Sequence, residues 1–401
     1  MTQDQGQPAS QAWVRLQGSG PVALACALFM ARQGIPAHRI ALDAKPREIP
    51  AALNHRILAL SEGSLQLLDR VCARPVGGAI RTVDVSMRGH WGSTTMRADE
   101  LGVAALGCVV RYPELLKVLR QAAAAQAWHG QPTSDPQALS ASDPHARPAA
   151  QSLHSMDSTA ASGSPNRQPM LLIHAEGDPG EDAQVRTFDQ AALLLEVNAP
   201  QAPAQAAGSA HEKFTAQGPL ALLPLAEPGR WSVVWCDTPE AGERRLHSDE
   251  ASLSHELQHL FGHRLGPLHI LGPRHLAALV RKARTETVQD QDQAEIWIGN
   301  AAQALHPVAG QGLNLGLRDA FELAQCLGEA WRMGQPARSV TTRWARQRQR
   351  DRRGLIALTD LMARSFTWPA ARPVQSIFLG GLEIIGPARR ALARTLMFGL
   401  R

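Results

Sequence analysis

Ile296-Trp297-Ile298-Gly299-Asn300-Ala301-Ala302-Gln303-Ala304-Leu305-His306-Pro307-Val308-Ala309-Gly310-Gln311-Gly312-Leu313-Asn314-Leu315-Gly316-Leu317-Arg318-Asp319 opens as a strand, passes through a glycine-rich loop and runs into an amphipathic helix. Ile296 and Ile298 are the apolar strand positions. Gly310 and Gly312 let backbone N–H groups approach a ligand with no Cβ in the way, and the helix begins near Leu313 with N–H groups that its own turns leave unpaired. A helix N-terminus attracts negative charge, so the polar edge of a cofactor belongs there. The competing explanation is a tight strand-to-helix connection that uses its glycines for φ alone.

A second glycine loop lies near the start. Trp13-Val14-Arg15-Leu16-Gln17 predicts a short strand, followed by Gly18-x-Gly20-x-x-Ala23 and an alanine- and leucine-rich helix stopped by Gly34. This is a dinucleotide fingerprint in its required strand-to-helix setting. Gly18 makes the turn, Gly20 admits a pyrophosphate and Ala23 lets the helix pack on the strand. A second strand at Arg39–Leu42 ends on Asp43, whose carboxylate is placed for an adenosine ribose. Arg15 and Gln17 are unexpectedly polar for a central parallel strand.

The remaining chain sets limits. With 401 residues, 44% of them hydrophobic and 19% charged, it can bury two sizeable cores. The five cysteines form no C-x-x-C pair, which argues against a disulfide framework or zinc site and makes reduced, cytoplasmic thiols the default; no metal is expected. There is no secretory signal pattern and no apolar run of about 18 residues. Residues 332–401 carry 14 Arg, no Lys and 3 acidic residues, a net +11 against −6 for the rest. Anionic lipid headgroups fit that asymmetry as well as nucleic acid does, and no nucleic-acid-binding signature accompanies it. The rivals are a solvated basic face and arginines that brace the C-terminal helices.

Residues 121–169, rich in Ala, Ser, Pro, Gln and Asp, are expected to be a protruding insertion. Strands are expected at 170–173, 191–197, 219–225 and 231–236, and helices at 250–261, 273–283, 313–332, 338–364 and 386–397. The sum is an α/β chain: a Rossmann-like domain, a second, mainly antiparallel β domain and a C-terminal helical segment.

The run from Gly299 resembles the flavin-binding segment of the aromatic-ring hydroxylases, in particular the ubiquinone-biosynthesis hydroxylase branch (2-polyprenyl-6-methoxyphenol hydroxylase-like), G-[DN]-A-A-x-x-x-H-P-x-x-G-Q-G-x-N-x-G-x-x-D. Gly299, Asn300, Ala301, Ala302, His306, Pro307, Gly310, Gln311, Gly312, Asn314, Gly316 and Asp319 fall on it. The block from Arg56 through Ser61-x-Gly63-Ser64 to Leu68, the strand His211-Glu212-Lys213-Phe214 continuing to Leu225, and Arg343–Asp351 resemble further blocks of that family. Where the family reads A-D-G, this chain has Ala175-Glu176-Gly177.

The resemblance implies FAD held by Gly18, Gly20, Ala23, Asp43, Arg56, Glu176, Gly177, Gly299, Asn300, Gly310, Gln311, Gly312, Leu313 and Asn314, with NAD(P)H as a transient co-substrate and O2 activated as a flavin C4a-hydroperoxide. His306 and Pro307 become candidates for the catalytic wall. It further implies ring hydroxylation of a polyprenylated phenol in ubiquinone biosynthesis, at a peripheral inner-membrane contact or in a ubiquinone-synthesis complex, with no nucleic acid. Two alternatives stay open: a non-catalytic flavin- or quinone-binding subunit, and a flavoprotein monooxygenase acting on another aromatic substrate. No G-x-G-W-x-W-x-I-P halogenase sequence is visible. The implied FAD-binding domain occupies 10–75, 101–180 and 276–335, the substrate domain 76–100 and 181–275, and the helical segment 336–401. No base for the phenol is evident.

Overall fold

The structure, a computed structural model, describes residues 12–42, 48–129, 171–177, 179–180, 183–284, 287–289, 294–304, 311–349, 354 and 372–399. Asp43, His306, Pro307, Gly310, Arg350 and Arg353 lie outside them.

The first sheet has strand order β14 (Thr287–Gln289), β15 (Ala294–Trp297), β8 (Leu171–His174), β1 (Val14–Gln17), β2 (Ile40–Leu42). β15, β8, β1 and β2 run parallel and β14 is antiparallel. Val14, Leu16, Leu171, Ile173 and Ile296 are fully buried against α1 (Pro21–Arg32), α4 (Tyr112–Ala124) and α7 (Gln311–Arg332). Each such side chain contributes roughly 1.5–3 kcal/mol of burial. Arg15 and Gln17 are exposed on the opposite face of β1. That face is polar elsewhere too: His174 Nε2 lies 2.7 Å from Glu295 and its ring stacks on Trp297. The two polar residues therefore mark a strand that the described helices cover on one side.

A small antiparallel sheet of β3 (Ile57–Ser61), β7 (Gly107–Arg111) and β4 (Gly77–Ile80) lies between this layer and the largest one. The eight-stranded sheet runs β16 (Gln303–Ala304), β13 (His269–Ala283), β9 (Gln184–Asn198), β12 (Arg230–Asp237), β11 (Pro219–Pro224), β10 (Ser209–Phe214), β5 (Thr82–Met87), β6 (Ser93–Arg97). All its pairings are antiparallel except β10 with β5. Two short helices, α5 (Pro239–His247) and α6 (Glu250–Phe261), adjoin it, with Leu253 and Leu257 in a core shared with Leu220, Leu222 and Trp235.

Two expectations are corrected. Residues 273–283 form part of β13 instead of a helix: the helix preference of the Ala/Leu run is worth only tenths of a kcal/mol per residue, and pairing along β9 with two register shifts overrides it. The insertion cannot begin at 121, because α4 runs to Ala124 and Trp128 is buried, its indole N–H donating to the Ala123 carbonyl at 2.8 Å. His129 Nδ1 is 2.9 Å from the His38 carbonyl, and 130–169 lies outside the described residues. Of the helix expected over 338–364, a 3-10 turn at Ala337–Val340 and helix to 349 are described. The helix Arg372–Ile384 was not anticipated, whereas the last one, Gly386–Phe398, was.

Candidate active site

One cavity of about 1350 Å³ separates the parallel layer from the eight-stranded sheet. Gly20, Pro21, Val22, Arg56, Glu176, Gly177, Asn300, Gln311, Gly312, Leu313 and Asn314 line one side of it. Apart from Pro21 and Val22, these residues are expected cofactor contacts, brought together from four distant stretches of sequence.

The cofactor side is made of backbone. Gly18 adopts φ +128, and a Cβ there would lie 2.7 Å from Glu176 Cβ, so the turn tolerates glycine alone. Gly20 caps α1 with no side-chain bond, and Pro21 occupies the first turn, where a missing N–H costs nothing. A Cβ at Gly20 would approach nothing closer than the Tyr112 hydroxyl at 3.7 Å, and one at Gly312 would have no neighbour within 4 Å. Open space thus meets the N-termini of α1 and α7, both able to donate N–H groups to anionic or carbonyl oxygens. This arrangement fits FAD, whose pyrophosphate and polar flavin edge each need N–H donors of the kind that the two helix ends would supply.

Several of the expected contacts also have structural partners. Glu176 accepts hydrogen bonds from the Ser19 backbone N–H and from its hydroxyl, tying β8 to the first glycine loop. Ala23 is buried at 3.2 Å from where a Gly18 Cβ would lie, as the fingerprint requires. Gly299 is a packing residue: it sits against Val22, and a Cβ on Gly316 would lie 3.0 Å from its Cα. The buried Asn314 side chain clamps β3, accepting from Ser61 N and donating to the Ala59 carbonyl, each at 2.9 Å. Asn300 is exposed into the cavity and Arg56 is exposed at its edge.

Asp319, the last residue of the glycine-loop motif, is buried. It accepts from Gly299 N at 3.4 Å and from Arg348 Nε at 2.7 Å, and Arg348 also reaches Glu322 at 3.1 Å. The arginine-rich block is thereby bonded to the loop that frames the cofactor side. Arg389 is likewise engaged, with Glu100 at 3.0 Å and Glu383 at 3.2 Å, so the bracing alternative holds for this arginine.

The opposite side of the cavity is the eight-stranded sheet. Ala192, Leu194, Ala221, Leu223 and Val234 give it an apolar wall, and Ala393, Leu396 and Met397 of the last helix close one end. That helix is anchored where the Ser61 hydroxyl donates to the Met397 carbonyl at 2.9 Å. The polar exceptions are few. Arg111 bonds Glu196 at 2.5 Å. His275 stacks on His55 with centroids 5.9 Å apart. Burial, then Glu176, raises the Tyr112 phenol above its ordinary range. Glu212 projects among the apolar residues, and burial pushes its carboxyl up to about 7. Glu212 lies in the His211–Leu225 motif without an evident role in the sequence; its signal is a carboxylate at the same strand parity as Ala210 and Phe214.

Comparison with known proteins gives the same picture. A family model described as "FAD binding domain" matches residues 13–351. Ubiquinone hydroxylase UbiL of Rhodospirillum rubrum is 32% identical over 244 residues, covering 58% of this chain and 55% of that protein. The 3-demethoxyubiquinol 3-hydroxylase of Escherichia coli is 29% identical over 233 residues, 53% of this chain and 56% of the relative. The match thus spans about half the length of these curated relatives. The flavin-dependent brominase Bmp2 superposes with a TM-score of 0.66 at 13% identity, over 97% of this chain and 94% of that one. At that identity the likeness establishes the fold alone, which is the aromatic hydroxylase fold.

Proposed function

The chain belongs to the FAD-binding domain family, and on that premise we propose that it is an FAD-dependent monooxygenase that hydroxylates the ring of a polyprenylated phenol on the way to ubiquinone, with NAD(P)H and O2 as co-substrates. The observation that carries this reading is a cavity with two unlike sides, glycine-framed helix ends facing a largely apolar sheet wall. Bound FAD supplies the electron transfer from NAD(P)H and the activation of O2. The protein's part is positional: the α1 and α7 termini bind charge, and the apolar wall excludes water from the reacting ring. His306 and Pro307, which the family places at the flavin, are retained as candidates for that wall.

The purified protein should carry a flavin absorbance spectrum and oxidise NAD(P)H faster when a lipophilic phenol is added, with oxygen entering the ring. Flavin without phenol-stimulated turnover would instead support the non-catalytic subunit, for which the relatives' ubiquinone names leave room.

A peripheral membrane contact belongs to the same proposal. No described helix is long and apolar enough to cross a membrane. Ile377, Ile384 and Ile385 are nevertheless 63%, 85% and 55% exposed, and Trp91, 79% exposed, lies beside Gly380. Arg390 and Arg394 are exposed on the last helix. Apolar side chains beside free-standing cations suit the surface of an anionic bilayer, from which a poorly soluble phenol would be taken.

A further inference from the structure

One line of residues crosses the cavity face of the large sheet. Through successive strand pairings His275 is opposite Leu194, Leu194 opposite Val234, Val234 opposite Ala221, and Ala221 opposite Glu212. All five line the cavity. Paired residues share a face, so this is a ladder with an apolar middle and a titratable group at each end, the two ends about 19 Å apart across four strand spacings.

The Glu212 end is unlike any other part of the wall. Its sheet neighbours are Ala221 on one side and the buried Val85 on the other. Glu212 is half-buried and lines the cavity, and among the described residues its carboxylate makes no hydrogen bond and no ion pair. A lone carboxylate in such a place costs stability unless something fills its acceptor positions. The small Ala221 beside it leaves room for a planar ring.

The titratable groups nearest Glu212 on its own and adjoining elements are accounted for otherwise. His211 and Lys213 point to the far face, His211 to Asp84 at 3.2 Å and Lys213 to the Leu260 carbonyl at 3.0 Å. His211 and Thr95 hold the Asp84 carboxyl below its usual range. On the cavity face, Glu196 of β9 is held by Arg111, and Cys236 of β12 stays a thiol because burial, with Glu212 and Asp237, pushes it up to about 12. Glu383 of the helix Arg372–Ile384 is tied to Thr95 N and Arg389.

Resting on the monooxygenase reading above, we propose that Glu212 is the catalytic residue that accepts the substrate's ring hydroxyl proton. The phenol O–H bond lengthens and breaks as an O–H bond forms on the carboxylate; the electron pair stays on the phenol oxygen and enriches the ring that is to be hydroxylated. No electrons leave or enter, and the proton passes to solvent when product departs. A carboxyl that titrates near neutrality is matched to that exchange.

Calorimetric titration of the FAD-loaded protein with 4-hexylphenol and with 4-hexylanisole, which lacks the proton, tests this. Affinity for the phenol should rise at least fivefold from pH 5.5 to 8 while that for the anisole stays flat, and wild-type binding of the phenol at pH 6 should release a proton to the buffer. Glu212→Gln should keep its flavin yet lose the pH dependence, and Glu212→Asp should restore part of it. Failure of wild type to bind the phenol, an equal pH slope for the anisole, or an unchanged slope in Glu212→Gln would overturn the assignment. Should Glu212→Gln fail to fold, the proton count on wild type decides alone. Absence of phenol-stimulated NAD(P)H oxidation in wild type would overturn the monooxygenase reading and leave the binding result standing.

Discussion

The two sides of the cavity solve opposite problems with opposite materials. The cofactor side offers backbone N–H groups at two helix ends and keeps side chains away, so Gly20 and Gly312 matter for what they lack. The sheet side offers side chains and is mostly apolar, and where Glu196 is neutralised by Arg111, the carboxylate of Glu212 stands out against Leu194, Ala221 and Val234. A site made of backbone fails when a Cβ is added; a site made of side chains fails when one functional group is altered. Ligand specificity should therefore divide cleanly between the sides.

That division can be broken experimentally. The largest effect is expected from Gly20→Val, whose side chain enters the open space at the α1 terminus: flavin occupancy should fall at least a hundredfold while urea denaturation changes by less than about 1 kcal/mol. Full occupancy in a folded variant would show that the fingerprint does not hold the cofactor. Next in size, Asp319→Ala leaves the guanidinium of the buried Arg348 without its main partner. A loss of about 3–5 kcal/mol in denaturation is expected, the usual result of removing one half of a buried pair, and an unchanged midpoint would mean that Arg348 finds water.

Glu212→Gln sharpens the contrast through pH. The folded carboxyl titrates near 7 against an ordinary 4.5. Its folded pKa is raised, so the unfolded chain gives up this proton first as pH climbs; native stability is lost between about 4.5 and 7 and stays reduced above that window. The glutamine variant should match wild type at pH 4 and exceed it by roughly 2–3 kcal/mol at pH 8. Melting curves that stay parallel across that range would contradict the burial argument. The smallest effect concerns the surface: Arg390→Glu with Arg394→Glu should weaken co-sedimentation with anionic vesicles several-fold in low salt, at about 1 kcal/mol per charge. Equal binding of wild type to neutral and anionic vesicles would remove electrostatics from the membrane reading. Arg389 is the wrong probe, because its contacts with Glu100 and Glu383 would make a reversal there a test of folding.

The same contrast explains what could be read before any coordinates. Gly18, Gly20, Gly312 and the strand–helix order around them announced the cofactor side, since glycine patterns report backbone geometry directly. Asn314 was legible as a candidate contact, but its second job was not: it lines the cavity and also clamps Ser61 and Ala59 of β3, a partner 255 residues away along the chain. The sheet side was nearly silent. Its ladder exists only once five strands are in register, and β13 was read as a helix because its Ala/Leu content outweighed a pattern blurred by bulges. Glu212 could be seen as a residue and not as a neighbour of Ala221. Arg15 and Gln17, which looked like faults in a buried strand, belong to its open face.

The bond between Asp319 and Arg348 reaches beyond this one chain. Because Asp319 also holds Gly299 N, a mutation at either charged position deprives its opposite of a buried partner, and one at Asp319 loosens the loop as well. Descendants carrying a single change would be purged, so the pair should be inherited or lost together, and lineages that dispense with the arginine are expected to have neutralised the aspartate in step.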